Sequence, residues 1–320
     1  MTEHSNPRPK RYITRRQLLR GVLAVGASTA ALGAYAVAEP WRLVVTRYTI
    51  TPAGWPKGLS LRCAVIADLH ACEPWMGAAR IRQIVARTNA LAPDVTLLLG
   101  DYVAGRIIAK LSGDMANATW AAALAGLKAP LGVHAVLGNH DWWQDVSVQL
   151  KRSGPVPAAV ALEAVGINVY DNQAIRLEKD GQPFWIAGLG DQWAYWPRGA
   201  LRPTRGFHRY EGVDDLPSTL RQVTDTAPVI LMAHEPDVFP EVPDRVAVTI
   251  SGHTHGGQVT FAGYAPIVPS RYGRRYVYGH IVEGERNLVV SGGLGCSGLP
   301  IRFGRPPEIV VIDLGSEVAT

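Results

Sequence analysis

Short apolar runs recur along the 320 residues, and each stops at polar residues of a particular kind. Leu61 to Ala67 reads as a buried strand and stops at Asp68-Leu69-His70. Val95 to Leu99 stops at Gly100-Asp101, and Val133 to Leu137 at Gly138-Asn139-His140-Asp141. Further on, Val229 to Ala233 stops at His234, and Val246 to Ile250 runs into Gly252-His253-Thr254-His255. Unbroken runs of Val, Ile and Leu at this length fit strands covered on both faces. Between the first three lie helix-like stretches: 78–91, with Ile81, Ile84, Val85 and Leu91 at helical spacing, and 115–127, rich in Ala and Leu. Phe184 to Leu189 predicts another strand, and the last part adds Tyr276–Val282, Leu288–Val290 and Ile309–Ile312. This order predicts an α/β fold, a four-layer α-β-β-α sandwich of two mixed sheets flanked by helices. In such sheets a site forms beyond the carboxyl ends of the strands, so the five polar strand ends should meet there.

Composition adds little to this picture: 47% hydrophobic and 18% charged residues are enough for a sizeable core. Charge adds more. The net +5 lies wholly in residues 1–38, where Arg8, Lys10, Arg11, Arg15, Arg16 and Arg20 face one acid, Glu3. Residues 39–320 are neutral overall, whereas a nucleic-acid binder keeps a basic excess in its folded domain. No nucleic-acid partner is therefore expected. With no linker-like shift after residue 39, 39–320 reads as one domain.

Arg15-Arg16 precede an uncharged, Ala- and Gly-rich stretch, Gly21 to Ala38, which ends in Ala36-Val37-Ala38. Paired arginines before a weakly apolar run with small residues at its end resemble a bacterial twin-arginine export signal. That resemblance implies the twin-arginine export machinery as a partner and the periplasm or cell envelope as destination. The alternative is a membrane anchor over 21–38, with membrane association of the domain. Cys63, Cys72 and Cys296 are odd in number and irregularly spaced, which does not describe a disulfide framework; one bridge or three reduced thiols both fit.

The five strand ends, taken in order, resemble the calcineurin-like metallophosphoesterases, whose pattern is D-x-H, G-D, G-N-H-D/E, a lone His and G-H-x-H. The resemblance covers roughly 60–315, and Gly252 to Gln258 with Arg271-Tyr272-Gly273 and Gly292 to Gly295 is most similar to a bacterial exported or membrane-associated phosphodiesterase subgroup. It implies that Asp68, His70 and His255 hold one divalent ion, that Asn139, His234 and His253 hold a second, and that Asp101 bridges them. Mixed imidazole and carboxylate ligands suit Mn, Fe or Zn. The resemblance further implies that His140 faces the leaving-group oxygen as a proton donor, with Asp141 orienting it or a neighbouring ligand. One departure stands out: many relatives have G-D-x-x-D, whereas Ala104 follows Gly100-Asp101-Tyr102-Val103 here. This argues against the protein Ser/Thr phosphatase branch.

Of the other histidines, His134 reads as a sheet-face residue and His280 as a loop residue. Trp75, Trp142, Trp143, Trp193 and Trp196 sit near strand ends, and 191–210 adds Arg198, Arg202, Arg205, Arg209 and His208. Loop packing explains them equally well, but Trp75, Trp142, Trp193, Arg198 and His208 are also candidates for a rim. Such a rim would stack on a ring or acyl group and hold the anionic oxygens of a phosphoester, lipid- or sugar-linked. The expected activity is two-metal hydrolysis of phosphodiesters or phosphomonoesters at the bacterial envelope. The alternatives are a UDP-2,3-diacylglucosamine pyrophosphate hydrolase of lipid A synthesis and a non-catalytic metal-binding module.

Overall fold

The computed structural model describes residues 15–200 and 210–315. Helix α1 (Arg15–Ala38) leads into strand β1 (Val44–Ile50), which the apolar pattern does not mark because Thr46, Arg47 and Thr49 interrupt it. Next come β2 (Leu61–Ile66), the two-residue β3 (Cys72–Glu73), α2 (Ala78–Asn89), β4 (Val95–Leu98), α3 (Arg106–Leu111) and β5 (Gly113–Asp114). The middle of the chain forms α4 (Asn117–Leu124), β6 (Val133–Ala135), α5 (Asn139–Trp143), α6 (Val146–Lys151), α7 (Pro157–Glu163) and β7 (Asn168–Val169). After these follow β8 (Gln173–Lys179), β9 (Gln182–Gly188), α8 (Leu216–Arg221), β10 (Val229–Met232), β11 (Val246–Ser251), β12 (Gly279–Glu283), β13 (Arg286–Val290) and β14 (Glu308–Leu314).

Two six-stranded sheets result, in the orders β1-β14-β2-β4-β6-β7 and β12-β13-β11-β10-β9-β8. Both are mixed: β2, β4 and β6 run parallel, as do β9, β10, β11 and β13, while β14 against β2, β12 against β13 and β8 against β9 are antiparallel. Period-two alternation decides which core each side chain enters. Cys63, Val65 and Leu97 of the first sheet meet Ile230, Met232, Val248 and Ile250 of the second between the sheets. On the other face of the first sheet, Ile66 and Leu98 pack under Ile81 and Ile84 of α2, Trp120 and Leu124 of α4 and Leu162 of α7. The second sheet turns Val229, Leu231 and Val246 toward Leu216 of α8 and Phe239 of a short turn at Pro236–Glu241. Helix, sheet, sheet, helix is the four-layer arrangement expected.

Some details differ from the sequence reading. His280 lies on β12 with its Nε2 3.0 Å from Asn287 Oδ1 of β13, not in a loop. All three cysteines are buried free thiols, Cys63 between the sheets and Cys72 with Cys296 in one small cluster. Helix α1 ends at Ala38. Among the described residues no helix is long and apolar enough to cross a membrane. His208, Arg202, Arg205 and Arg209 lie outside the described residues, as do His4 and the chain before Arg15.

His134 is a buried sheet residue, 2.8 Å from both Tyr170 Oη and Leu131 O. Burial lowers its pKa below the ordinary 6.5, so on acidification the unfolded chain takes up this proton first. The stability that His134 contributes is complete above about 6.5 and is lost as pH falls through the folded value. Urea denaturation at stepped pH should therefore show a shallower acid loss for His134→Gln than for the native chain. Parallel curves would rule this out.

Candidate metal centre

The polar strand ends meet at one edge of the sandwich. Asp68 and His70 follow β2, Asp101 follows β4, and Asn139 opens α5 directly after β6. From the second sheet, His234 follows β10, and His253 and His255 follow β11. All seven side chains are buried. Atoms of Asp68, His70 and His255 that could bind a cation lie within 4.8 Å of one another, as do those of Asp101, His234 and His253. One oxygen belongs to both halves: Asp101 Oδ2 is 3.5 Å from His70 Nε2 and 3.4 Å from His234 Nε2. Asn139 Oδ1 is 2.9 Å from His253 Nδ1, which is 3.3 Å from His234 Nε2, and His70 Nε2 is 3.0 Å from His255 Nε2.

Backbone geometry aims these groups. His70 Nδ1 sits 3.1 Å from Val103 O and His234 Nδ1 2.6 Å from Leu99 O, so each Nδ1–H is spent on a carbonyl and each Nε2 faces the centre. Asp68, His70, Asp101, His253 and His255 all have positive φ, between 45° and 66°. Residues other than Gly hold that conformation at a cost on the order of 1–3 kcal/mol each, and such costs gather at functional sites. Two glycines leave room for the carboxylates: a Cβ on Gly138 would lie 2.5 Å from Asp101 Oδ1, and one on Gly252 2.7 Å from Asp68 Oδ2.

Asp141 is a buried organiser. Its Oδ2 accepts the backbone N–H groups of Asp101 and Gly138 (2.9 Å each), and its Oδ1 those of Tyr102 (2.9 Å) and Val103 (3.2 Å). Its contacts are with the loop that carries Asp101, as one of the two roles the sequence left open would have it. His140 is the one histidine of the cluster that is not fully buried. Its N–H donates to Asp101 Oδ1 (2.8 Å), its ring meets His70 edge-on at 4.9 Å, and Gln144 Nε2 is 3.4 Å from its Nδ1. Gly105 makes room for that ring, since a Cβ there would lie 2.7 Å from His140 Cε1.

The electrostatics call for cations. Burial pushes Asp68 up to about 7 and lowers His70 to about 4, and it holds His253 and His255 well below the usual imidazole range. Neutral imidazoles are the form that offers a lone pair to a metal. Burial would also raise Asp101, but the facing imidazoles of His234, His140 and His70 hold it well below the usual carboxylate range. Two further atoms at this edge are buried with no hydrogen-bond partner: Asp191 Oδ2 and Glu235 Oε1. A nest of inward-facing nitrogens and oxygens, short of protons and of positive charge, fits a pair of borderline divalent ions.

The sequence reading missed Asp191, Glu235 and Arg302. Asp191 and Glu235 stand with His234 in a further group of possible ligands, and burial raises both carboxyls, Glu235 to about 7. Gly190-Asp191 at the end of β9 repeats the strand-end pattern of Gly100-Asp101, a signal that was there to read. Arg302, fully buried, sends Nη2 to 3.2 Å from His255 Nδ1. The expected rim is not built as proposed. Trp142 and Trp193 are only 5% and 2% exposed. Trp193 packs edge-on behind His253 at 4.5 Å, and Trp142 packs against Tyr195. Trp75 is half-buried against the Cys72 and Cys296 cluster, and exposed Arg198 pairs with Glu211 (3.2 Å).

Residues 61–257 match the calcineurin-like phosphoesterase family, and the chain belongs to it. It is a metal-dependent phosphoester hydrolase by class. An uncharacterized metallophosphoesterase of Bacillus subtilis, YkuE, is 32% identical over 317 residues, which cover 95% of this chain and 98% of the relative. The phosphodiesterase YaeI of Escherichia coli is 26% identical over 94% of this chain and 99% of its own. Among solved structures, a dimetal phosphatase from Danio rerio is similar at a TM-score of 0.42 and 14% identity, covering 73% of this chain and 88% of that one.

Asp141→Asn tests the organiser. Whichever way the amide turns, an NH2 group faces two backbone N–H donors in place of a carboxylate oxygen. Bonds to a charged acceptor are worth about 1.5–3 kcal/mol each, so stability should fall by at least about 2 kcal/mol and bound metal should drop with it. A native urea midpoint with full metal content would contradict the assignment.

Proposed function

We propose that this chain is an exported, dinuclear phosphodiesterase of the cell envelope. In this reading Asp68, His70 and His255 hold one ion, Asn139, His234 and His253 hold the other, and Asp101 serves both. The observation that carries it is the Asp101 carboxylate, whose single oxygen faces histidines of both groups. Bound divalent ions (Mn, Fe or Zn) supply Lewis acidity toward phosphoryl oxygens and lower the pKa of water. The chain's own residues do the rest. His140 stands at the open side of the cluster and gives a proton to the departing oxygen. That donor is the imidazolium form, and Gln144 Nε2, 3.4 Å from His140 Nδ1, helps to hold the ring. Buried Trp193 and Asp141 keep His253 and the Asp101 loop in place and shield the centre from bulk water.

Export through the twin-arginine pathway is supported by Arg15-Arg16 and the Ala-rich α1 ending at Ala38. Domain boundaries at 1–38 and 39–320 belong to the same reading. A diester substrate is supported by the name of the Escherichia coli relative.

Metal-loaded protein should hydrolyse bis-p-nitrophenyl phosphate with Mn²⁺ and stop after chelation. His140→Ala should retain two ions by elemental analysis while kcat falls about 10²–10⁴-fold. A metal-free variant would make His140 a ligand instead. No turnover with any divalent ion would favour a non-catalytic binding module. Turnover of UDP-2,3-diacylglucosamine by a domain inside the cytoplasm would move the assignment to lipid A synthesis.

A further inference from the structure

The folded domain is neutral overall but strongly polarised beside the metal centre. Two segments flank the turn that carries His253 and His255. Residues 258–275 contain Arg271, Arg274 and Arg275 and no acid, and residues 294–305 contain Arg302 and Arg305 and no acid. Helix α1, with Arg15, Arg16 and Arg20, has none either. These three acid-free segments come together. Arg302 N–H donates to Ala36 O of α1 (3.0 Å), the Tyr35 ring meets Phe303 at 5.4 Å, and Phe303 meets Phe261 at 5.3 Å. Gln258 Nε2 ties the two loops by donating to Ser297 O (3.1 Å) and Leu299 O (3.2 Å).

The face they form is apolar and open. Phe261 is 57% exposed, Tyr264 55%, Ile267 77% and Leu299 54%. Arg274 lies over the Tyr264 ring at 4.2 Å; Arg275 is taken by Glu283 (2.8 Å), and the side chains of Arg271 and Arg274 remain in solvent. The described side chains of α1 are exposed along its length, apart from half-buried Ala36. Large apolar side chains rarely stand out of a soluble surface in such a cluster without a partner. Exposed aromatic and aliphatic tips beside the solvent-facing Arg271 and Arg274, with the nearby carboxylates Asp237 and Glu283 already engaged by the Arg271 N–H and by Arg275, match the two layers of an anionic bilayer surface, hydrocarbon edge beneath phosphate.

We propose that this face docks on an anionic lipid bilayer and that the phosphoester reaching the metal centre is carried by a membrane lipid. The second half rests on the hydrolase reading above; the docking itself does not. The face is joined to the centre through short contacts: Arg302 to His255 (3.2 Å) and Arg305 Nε to Gly256 O (3.1 Å). A headgroup lifted from the bilayer along this side would meet the two-histidine turn first.

The test is flotation of the full-length, metal-loaded protein with vesicles. Vesicles of phosphatidylglycerol and phosphatidylethanolamine should carry it upward, and vesicles of phosphatidylcholine alone should carry at least tenfold less. Phe261→Ser, Ile267→Ser and Leu299→Ser combined should weaken binding to the anionic vesicles at least tenfold, with turnover of soluble bis-p-nitrophenyl phosphate unchanged. Arg271→Glu with Arg274→Glu, which alters only exposed side chains, should weaken it as well and guards against misfolding of the triple variant. No binding of the native protein, equal binding to both vesicle types, or native binding by both variants would overturn the proposal. So would a dimer that the triple variant abolishes while vesicle binding persists, since the face would then join two copies. Vesicle binding by a protein without diesterase activity would leave the docking face standing and remove the hydrolase reading.

Discussion

Everything at this edge of the sandwich depends on one buried carboxylate, Asp101, set between two imidazoles that belong to different sheets. A buried anion is costly unless opposite charge surrounds it, and of the facing imidazoles only His234 is pushed toward its charged form, by Asp101 itself. The surroundings are arranged to keep it there regardless. Asp141 holds the Asp101 loop by three backbone N–H groups and its own turn by that of Gly138, and Gly138 leaves the space that a Cβ would close. Removing that support would release the charge, not merely a contact.

Left-handed backbone at five of the seven positions adds a second constraint. Asp, Asn and His tolerate it better than branched residues do, and these are also the residues with metal-binding atoms on short side chains. Chain reversal directly after a strand and ligand chemistry therefore select the same amino acids. That coincidence explains why short motifs, each weak alone, read so clearly in order.

The fold and the seven inward-facing residues were legible because each depends on a local signal: an apolar run that ends in a named polar group. The rest depends on neighbours that sequence proximity does not show. Strands β1 and β8 carry polar side chains on one face and so lack the unbroken apolar run of the buried strands. Trp142 and Trp193 sit at strand ends, but nothing local says which way an indole turns, and both turn inward behind the centre. Arg302 reaches His255 from 47 residues away, by a loop whose own sequence says nothing about ligands. Glu235 follows His234 directly, yet only burial distinguishes it from an ordinary surface acid.

The two leaves of the sandwich contribute unequally to the cluster, and neither is sufficient. Asp68, His70, Asp101 and Asn139 come from the first sheet, His234, His253 and His255 from the second. A cation held by ligands from both would work as a rivet through the edge where the leaves would part first. Its binding energy would become cohesion of the side chains packed between them, about 2.7 kcal/mol when the free ion stands at a hundred times its dissociation constant. Metal starvation would then shorten the life of the protein as well as silence its chemistry.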